Sequence, residues 1–395
     1  MIGTGRLYSP LPISELLFER LIPINAGIKK LALYEFRYAV ENLYPREGWD
    51  SIVLDKQDEI ERVISQRSFY EAVMVKPREK DRIILDESIV RLTRMLFVGL
   101  VRGEYSPSWV NKLFYFDIRG FYFLPRTIYF TEAGLAHFGG KPFRNFEPRQ
   151  KQFDDSQDIG YLEFQEANLE IDQAFIEMIQ ALIEVRGTPI LITLAGPTAA
   201  GKTEIAERLL NTFEKNGRKV TTIEMDNFLL DRDFRDNKAM GKETTHFLLF
   251  KRSLEEILDG KKITIPRYDS SNATSSHDPE GILKPGCLPL GIEPADIIFL
   301  EGNFPFQMED IAGLIGLKIV YLTDDPIRLK RKCKRDIDYR KNYDPAHFRN
   351  RFFKTQFMRA DDIYRSLMET CDMVVDTTGA ALWVTPEIAK LLDGN

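Results

Sequence analysis

The sequence predicts an α/β protein. Its C-terminal half reads as a mainly parallel sheet covered by helices, preceded by an N-terminal α+β domain of unassigned fold. Three observations predict this. The apolar run Ile190–Ala195 leads directly into Gly196, Pro197, Thr198, Ala199, Ala200, Gly201, Lys202 and Thr203. Four further strand candidates, apolar or nearly so, at 220–225, 297–300, 318–322 and 373–375, alternate with segments of helical length. Continuously apolar strands separated by helices are the pattern of a parallel sheet buried on both faces. Residues 1–145 differ in texture, with helical stripes followed by an aromatic run at 113–130. The expected division is 1–160 and 161–395, with a polar linker near 141–160.

In chain order, 13–21 is a short apolar helix after Pro10 and Pro12, and 26–43 is a longer one with a broad apolar stripe. Segments 56–67 and 87–101 add two helices. Gly120 and Pro125 cut the aromatic run into strand-length pieces, so a small antiparallel meander is expected. Tyr115, Phe121, Tyr122 and Tyr129 are read as core, with a stacking platform as the sharper alternative. His137 is read as an ordinary loop histidine. A helix over 164–185 is ended by Gly187 and Pro189. The helix 204–216 follows the glycine-rich loop, and Asn216 with Gly217 caps it. Thr385 and Pro386 open a final helix.

The loop carries the most specific chemistry. G-x-x-x-x-G-K-[ST] after a strand and before a helix is the phosphate-loop pattern, so the sheet is expected to be of P-loop NTPase type. Gly196 and Gly201 let the backbone turn tightly and bring N–H groups onto phosphate oxygens. Lys202 reaches β- and γ-phosphates, and Thr203 offers a hydroxyl to Mg²⁺. The helix N-terminus behind them favours the same anion.

Two carboxylates stand at strand ends. Asp226 ends the 220–225 run and Glu301 ends the 297–300 run. Strand C-termini border the ligand crevice in an open parallel sheet. Asp226 there could accept a proton or contact Mg²⁺, and Glu301 could order magnesium's water shell. The segment 265–269 supplies Tyr268 and Asp269 as candidate substrate contacts. A basic run begins at Asp325 and contains Arg328, Lys330, Arg331, Lys332, Lys334, Arg335 and Arg340. Arg331 and Arg335 are four apart and share a helix face. Over a phosphate loop, that face could stabilise a transferring phosphoryl group.

Residues 188–380 resemble the uridine kinase/phosphoribulokinase family of P-loop kinases. The resemblance rests on ordered motifs: the loop at 196–203, Met-Asp-Asn-Phe at 225–228, Ile-Pro-Arg-Tyr-Asp at 265–269, Phe-Leu-Glu-Gly at 299–302 and the basic stretch 328–336. It implies Asp226 as base and magnesium contact, with Thr203 and Glu301 as the other residues around the metal. It implies Tyr268 on the substrate side, and Arg331, Arg335 and Arg340 as lid arginines. The sequence also departs from the family. Leu229 stands where uridine kinases usually carry tyrosine. Segment 240–247 replaces their ribose-holding segment, and 270–277 is longer and rich in serine and threonine. The phosphoryl-transfer half is retained and the acceptor half is rebuilt.

The expected function is therefore an ATP- and Mg²⁺-dependent kinase acting on a hydroxyl of a small metabolite. A nucleotide-binding regulatory protein with a degenerate kinase domain and a true nucleoside kinase are the alternatives. The 395 residues carry a net charge of −6, which gives no global attraction to nucleic acid or anionic membrane. No signal-like segment or apolar run of spanning length occurs, so a cytoplasmic protein without membrane partners is expected. Three scattered cysteines suggest neither zinc nor a disulfide framework. A homo-oligomer is left open.

Overall fold

The computed structural model describes residues 10–79, 82–118, 120–147, 161–236, 238, 241–303, 308–340 and 345–394. The N-terminal half opens with helices α1 (Pro10–Leu21), α2 (Leu33–Asn42), α3 (Gln57–Ile64) and α4 (Arg67–Ala72). A hairpin of β1 (Val75–Glu79) and β2 (Arg82–Leu85) follows, then α5 (Glu87–Arg102) and α6 (Pro107–Leu113). A second hairpin, β3 (Phe114–Asp117) and β4 (Tyr122–Pro125), leads to α7 (Glu132–His137). The aromatic run is thus a two-stranded hairpin. Tyr115, Phe121 and Tyr122 are buried in core and build no platform. The His137 ring nitrogen Nε2 lies 2.8 Å from the Cys371 carbonyl, a packing role.

The single helix expected over 26–43 is two elements. Asn25 Oδ1 accepts the Gly27 N–H at 2.9 Å and starts a 3₁₀ turn, Ala26–Lys30, which buries Ile28. Ala32 is then extended (ψ 141), and its N–H donates to Glu35 Oε2 at 2.9 Å to start α2 afresh. Local side-chain capping overrides the apolar stripe here.

The strand β5 (Arg144–Asn145) lies inside the segment read as a linker. It is followed by α8 (Tyr161–Arg186), β6 (Ile190–Ala195), α9 (Lys202–Lys215), β7 (Val220–Glu224), α10 (Arg232–Arg235), α11 (Phe247–Leu258), β8 (Ile263–Ile265), β9 (Tyr268–Asp269), β10 (Thr274–Ser275), β11 (Leu290–Ile292) and β12 (Ile297–Glu301). The chain closes with α12 (Glu309–Ala312), β13 (Leu317–Leu322), α13 (Asp325–Arg340), α14 (Pro345–Arg359), α15 (Arg365–Met368), β14 (Met373–Asp376), β15 (Ala381–Val384) and α16 (Pro386–Asp393). Seven strands form one sheet in the order β5, β15, β14, β13, β6, β12, β7. The five from β14 to β7 run parallel, and β15 and β5 close one edge antiparallel. Two polar residues on a sheet edge give no strand signature, which is why β5 reads as linker in the sequence.

Alternation along the buried strands sends side chains to two cores. Ile190, Ile192 and Leu194 pack with α8, α9 and α16, whereas Leu191 and Ala195 pack with α11 and the 360–371 segment. Phe138, from the N-terminal half, belongs to the second core. A separate core fills the N-terminal half around Trp49, Phe97 and Phe123. A smaller cluster joins Tyr70, Val75, Tyr115 and Tyr122 to Phe353 and Phe357 of α14, with Phe357 stacked on Tyr70. Among the described residues, no helix is long and apolar enough to cross a membrane.

Candidate active site

Register places the site. Glu301 is aligned with Leu194 of β6 on one side and Glu224 of β7 on the other. The loop 196–201 begins two residues past Leu194, and Asp226 lies two residues past Glu224. Loop, aspartate and glutamate therefore leave the same edge of three adjacent parallel strands.

The loop is built for close backbone approach. Gly196 has φ +142, and a Cβ there would fall 2.3 Å from the Tyr321 carbonyl oxygen of β13. Only glycine fits against that strand. Lys202 is buried, and its Nζ donates to the carbonyls of Gly196 and Pro197, each at 3.1 Å. Burial holds its ammonium below the usual lysine range, opposed by the charges of Glu301 and Asp226. Thr203 Oγ1 donates to Glu301 Oε1 at 2.9 Å. Glu301 Oε2 is buried and has no hydrogen-bond partner. Burial pushes the Glu301 carboxyl up, with Lys202 and Thr203 opposing. A buried carboxylate oxygen left unpartnered beside a threonine hydroxyl suits a hydrated divalent cation, so this donor set fits Mg²⁺. Asp226 sits on the 3₁₀ turn Met225–Phe228, exposed; its carbonyl accepts the Leu229 N–H at 3.1 Å, and its side chain has no hydrogen bond or ion pair among the described residues.

The basic helix α13 lies over the loop. Arg331 Nη1 donates to the Ala199 carbonyl at 3.3 Å, and its other amino group pairs with Glu204 in the first turn of α9. Arg335 Nη2 donates to Thr198 Oγ1 at 3.3 Å. Both arginines thus stand at the phosphate loop. The backbone of Arg340 ends α13, and its side chain lies outside the described residues.

On the opposite side of the crevice, Tyr268 is tied to the Asp226 turn through its N–H, which donates to Asn227 Oδ1 at 3.2 Å. Arg235 stacks over its ring at 5.3 Å and donates to its hydroxyl. Asp269 is exposed and caps its own turn, accepting from Ser271 N at 2.8 Å and Asn272 Nδ2 at 2.7 Å. The two rebuilt segments meet each other here. The His246 N–H donates to the Phe228 carbonyl at 2.8 Å, and its Nε2 lies 3.1 Å from Ser275 Oγ. Asp231 accepts from Ser275 N at 2.6 Å and Lys284 Nζ at 2.7 Å.

The Phosphoribulokinase / Uridine kinase family matches residues 191–375. A uridine kinase of Brevibacillus brevis is 31% identical over 160 residues, covering 39% of this chain and 69% of that protein. The chain belongs to this family. A uridine kinase of Lactobacillus helveticus is 29% identical over 163 residues, 38% of this chain and 70% of that protein. The solved D-glycerate 3-kinase from Cryptococcus neoformans is aligned over 54% of this chain and 99% of its own, at 11% identity and a TM-score of 0.39. This protein is therefore a P-loop kinase with an N-terminal half outside the matched region.

Two buried polar residues of this kinase lie in segments whose sequence gives no sign of their burial. Arg328 belongs to the basic run, yet it is completely buried. His246 is buried with Nδ1 unpartnered. Burial, and then the neighbouring His277, press its imidazole down to about 4, so it is neutral at pH 7. Unfolded, the same ring titrates near 6.5. Its contribution to stability is therefore complete above about pH 6.5 and is lost as pH falls toward 4. Melting temperature is expected to drop across that window, and His246→Asn to flatten the drop. An identical pH profile in the variant would remove His246 from the explanation.

Proposed function

We propose that this kinase transfers the γ-phosphoryl group of ATP to a hydroxyl of a small metabolite. One observation carries the reading. Three neighbouring strand ends bring the phosphate-loop Lys202 and Thr203, the Glu301 oxygen and the Asp226 carboxylate, both without a partner among the described residues, to one crevice edge. A module that only binds nucleotide has little use for Asp226 in that place. Lys202 and the loop N–H groups hold the triphosphate. Thr203 and Glu301 would hold Mg²⁺, Glu301 through water, with Asp226 within reach. Bound there, the ion neutralises phosphate charge. Asp226 accepts the acceptor hydroxyl's proton or orients it. Arg331 and Arg335 close over the transferring group and exclude water. Tyr268 and Asp269, with Arg340 from α13, are assigned to the acceptor side.

The division into 1–160 and 161–395 belongs to the same proposal, with β5 crossing into the sheet. So does a cytoplasmic location. His246 stands in the segment that replaces the family's ribose-holding one and Ser275 in the longer stretch 270–277, and the two meet at 3.1 Å, which favours an acceptor other than a nucleoside.

A metabolite library that includes nucleosides, screened by ADP release, tests the reading. Acceptor-dependent ADP release with a non-nucleoside is the expected result. Nucleoside turnover would favour the nucleoside kinase. ATP binding with no acceptor-dependent release would favour the regulatory protein. Arg335→Ala is expected to lower kcat about 10²-fold while changing ATP affinity only a few-fold. An unchanged kcat would take Arg335 out of the lid.

A further inference from the structure

Arg328 is the largest charged side chain with no exposure, and its five N–H donors are all used. Nε donates to the Thr323 carbonyl at 3.1 Å. Nη1 donates to the Thr198 carbonyl at 3.3 Å and to Gln356 Oε1 at 2.7 Å. Nη2 donates to the Tyr129 hydroxyl at 2.7 Å and to Asp325 Oδ1. A guanidinium has five donors and no more, so the set is complete. The charge is balanced by Asp325, itself buried, whose second oxygen accepts the Thr127 N–H at 2.7 Å. Thr127 and Tyr129 both belong to the N-terminal half. That half grips the same region again through Arg126 with Asp324, Arg349 with Asp117 at 3.0 Å, and Asn350 Oδ1 accepting the Val75 N–H at 2.6 Å.

The arrangement bears on the phosphate loop through its carbonyls. Thr198 O is held by Arg328, Ala199 O by Arg331, and Ala200 O by Thr323 Oγ1 at 2.8 Å. A trans peptide sets each following N–H opposite to its carbonyl. Holding Thr198 O toward Arg328 therefore turns the Ala199 N–H to the other side. Ala199 has φ +60, a left-handed conformation that a residue with a Cβ keeps only when its surroundings impose it.

We infer that Tyr129 and Thr127 make the N-terminal half a working part of the donor site: they hold the buried Arg328–Asp325 pair, which sets the phosphate-facing amides of the loop through Thr198. Tyr129 and Arg328 are positioning residues. Arg328 is fully buried and meets the loop at the Thr198 carbonyl, and Tyr129 meets it through Arg328, so each acts through the loop backbone. The N-terminal half, which the family match does not reach, thereby becomes a requirement for tight ATP binding. This rests on the kinase reading of the loop.

The test is calorimetric titration of the full chain with ATP and Mg²⁺, well below the melting temperature of each protein. Tyr129→Phe keeps the ring and removes one acceptor from a buried guanidinium. Its ATP Kd is expected to rise about tenfold, the equivalent of roughly 1.4 kcal/mol. Arg328→Lys keeps the charge but cannot fill five hydrogen bonds, and should weaken ATP at least as much. The double variant is expected to bind no worse than Arg328→Lys alone, because both act through one carbonyl. A purely structural role would lower the melting temperature of Tyr129→Phe and leave its Kd unchanged; that result overturns the inference, whether or not Arg328→Lys folds. Wild-type protein that binds no ATP would instead overturn the kinase reading, and this inference with it.

Discussion

Lys202→Ala is expected to abolish phosphoryl transfer, by about 10³-fold or more, while leaving the protein folded. The two halves of that expectation have separate physical grounds. Lys202 is buried, and its ammonium is held below the usual range chiefly by desolvation. Burying the charge has already cost stability, and its two carbonyl hydrogen bonds at 3.1 Å give part of it back. Removing the side chain deletes both terms, so the net change in folding stability is small, on the order of 1 kcal/mol. Phosphate binding has no such compensation. The loop loses its only lysine at the moment three or four negative charges must be held. Turnover by ADP release and thermal melting by circular dichroism read the two halves separately. Turnover within tenfold of wild type, in a protein that melts normally, would falsify the assignment of Lys202 to the phosphates.

How much of this was legible in the sequence depends on how local each signal is. The strand–loop–helix unit 190–216 was legible almost to the residue, because Gly196, Gly201, Lys202 and Thr203 act within one turn of chain. Asp226 and Glu301 were legible from their place after apolar runs, since a parallel sheet aligns such ends by register. The break in 26–43 was not, because it depends on one Asn25 hydrogen bond and a Glu35 bond to Ala32. Strand β5 was not, because an edge strand of two polar residues has no period to read. Arg328 was hidden by its company. A basic run reads as an exposed face, and nothing near Arg328 announces that Tyr129 and Gln356 close around it. The one local hint was Asp325 three residues earlier, on the same helix face. His246 and Ser275 are 29 residues apart and meet only in the folded acceptor side.

Arg331 and Arg335 show the same limit from another direction. Their spacing predicted a shared face, and Arg331 and Arg335 do both reach the phosphate loop. Spacing could not say what holds that helix in place. The ties to Asp117, Tyr122, Val75 and Thr127 come from a region with no motif at all. Any swing of α13 and α14 must carry or break those contacts.

Asp226→Asn is expected to lower kcat by about 10²- to 10⁴-fold, the usual worth of a positioned general base. The substitution is nearly isosteric, and the exposed Asp226 side chain has no hydrogen bond or ion pair among the described residues to lose. Stability should therefore stay within about 0.5 kcal/mol. The carboxylate is nonetheless close enough to oppose ionisation of Glu301 and Glu224 and to favour that of Lys202. Asparagine removes one negative charge from the crevice, while Thr203 and Glu301 stay in place. This separates the two roles open to Asp226. If it is the base, kcat stays low at every Mg²⁺ concentration. If it serves chiefly as a metal contact, raising Mg²⁺ restores most of the rate, because Thr203 and Glu301 remain to bind the ion. Rates measured across a Mg²⁺ series with the acceptor from the metabolite screen decide between them, and full activity at ordinary Mg²⁺ would leave Asp226 with neither role.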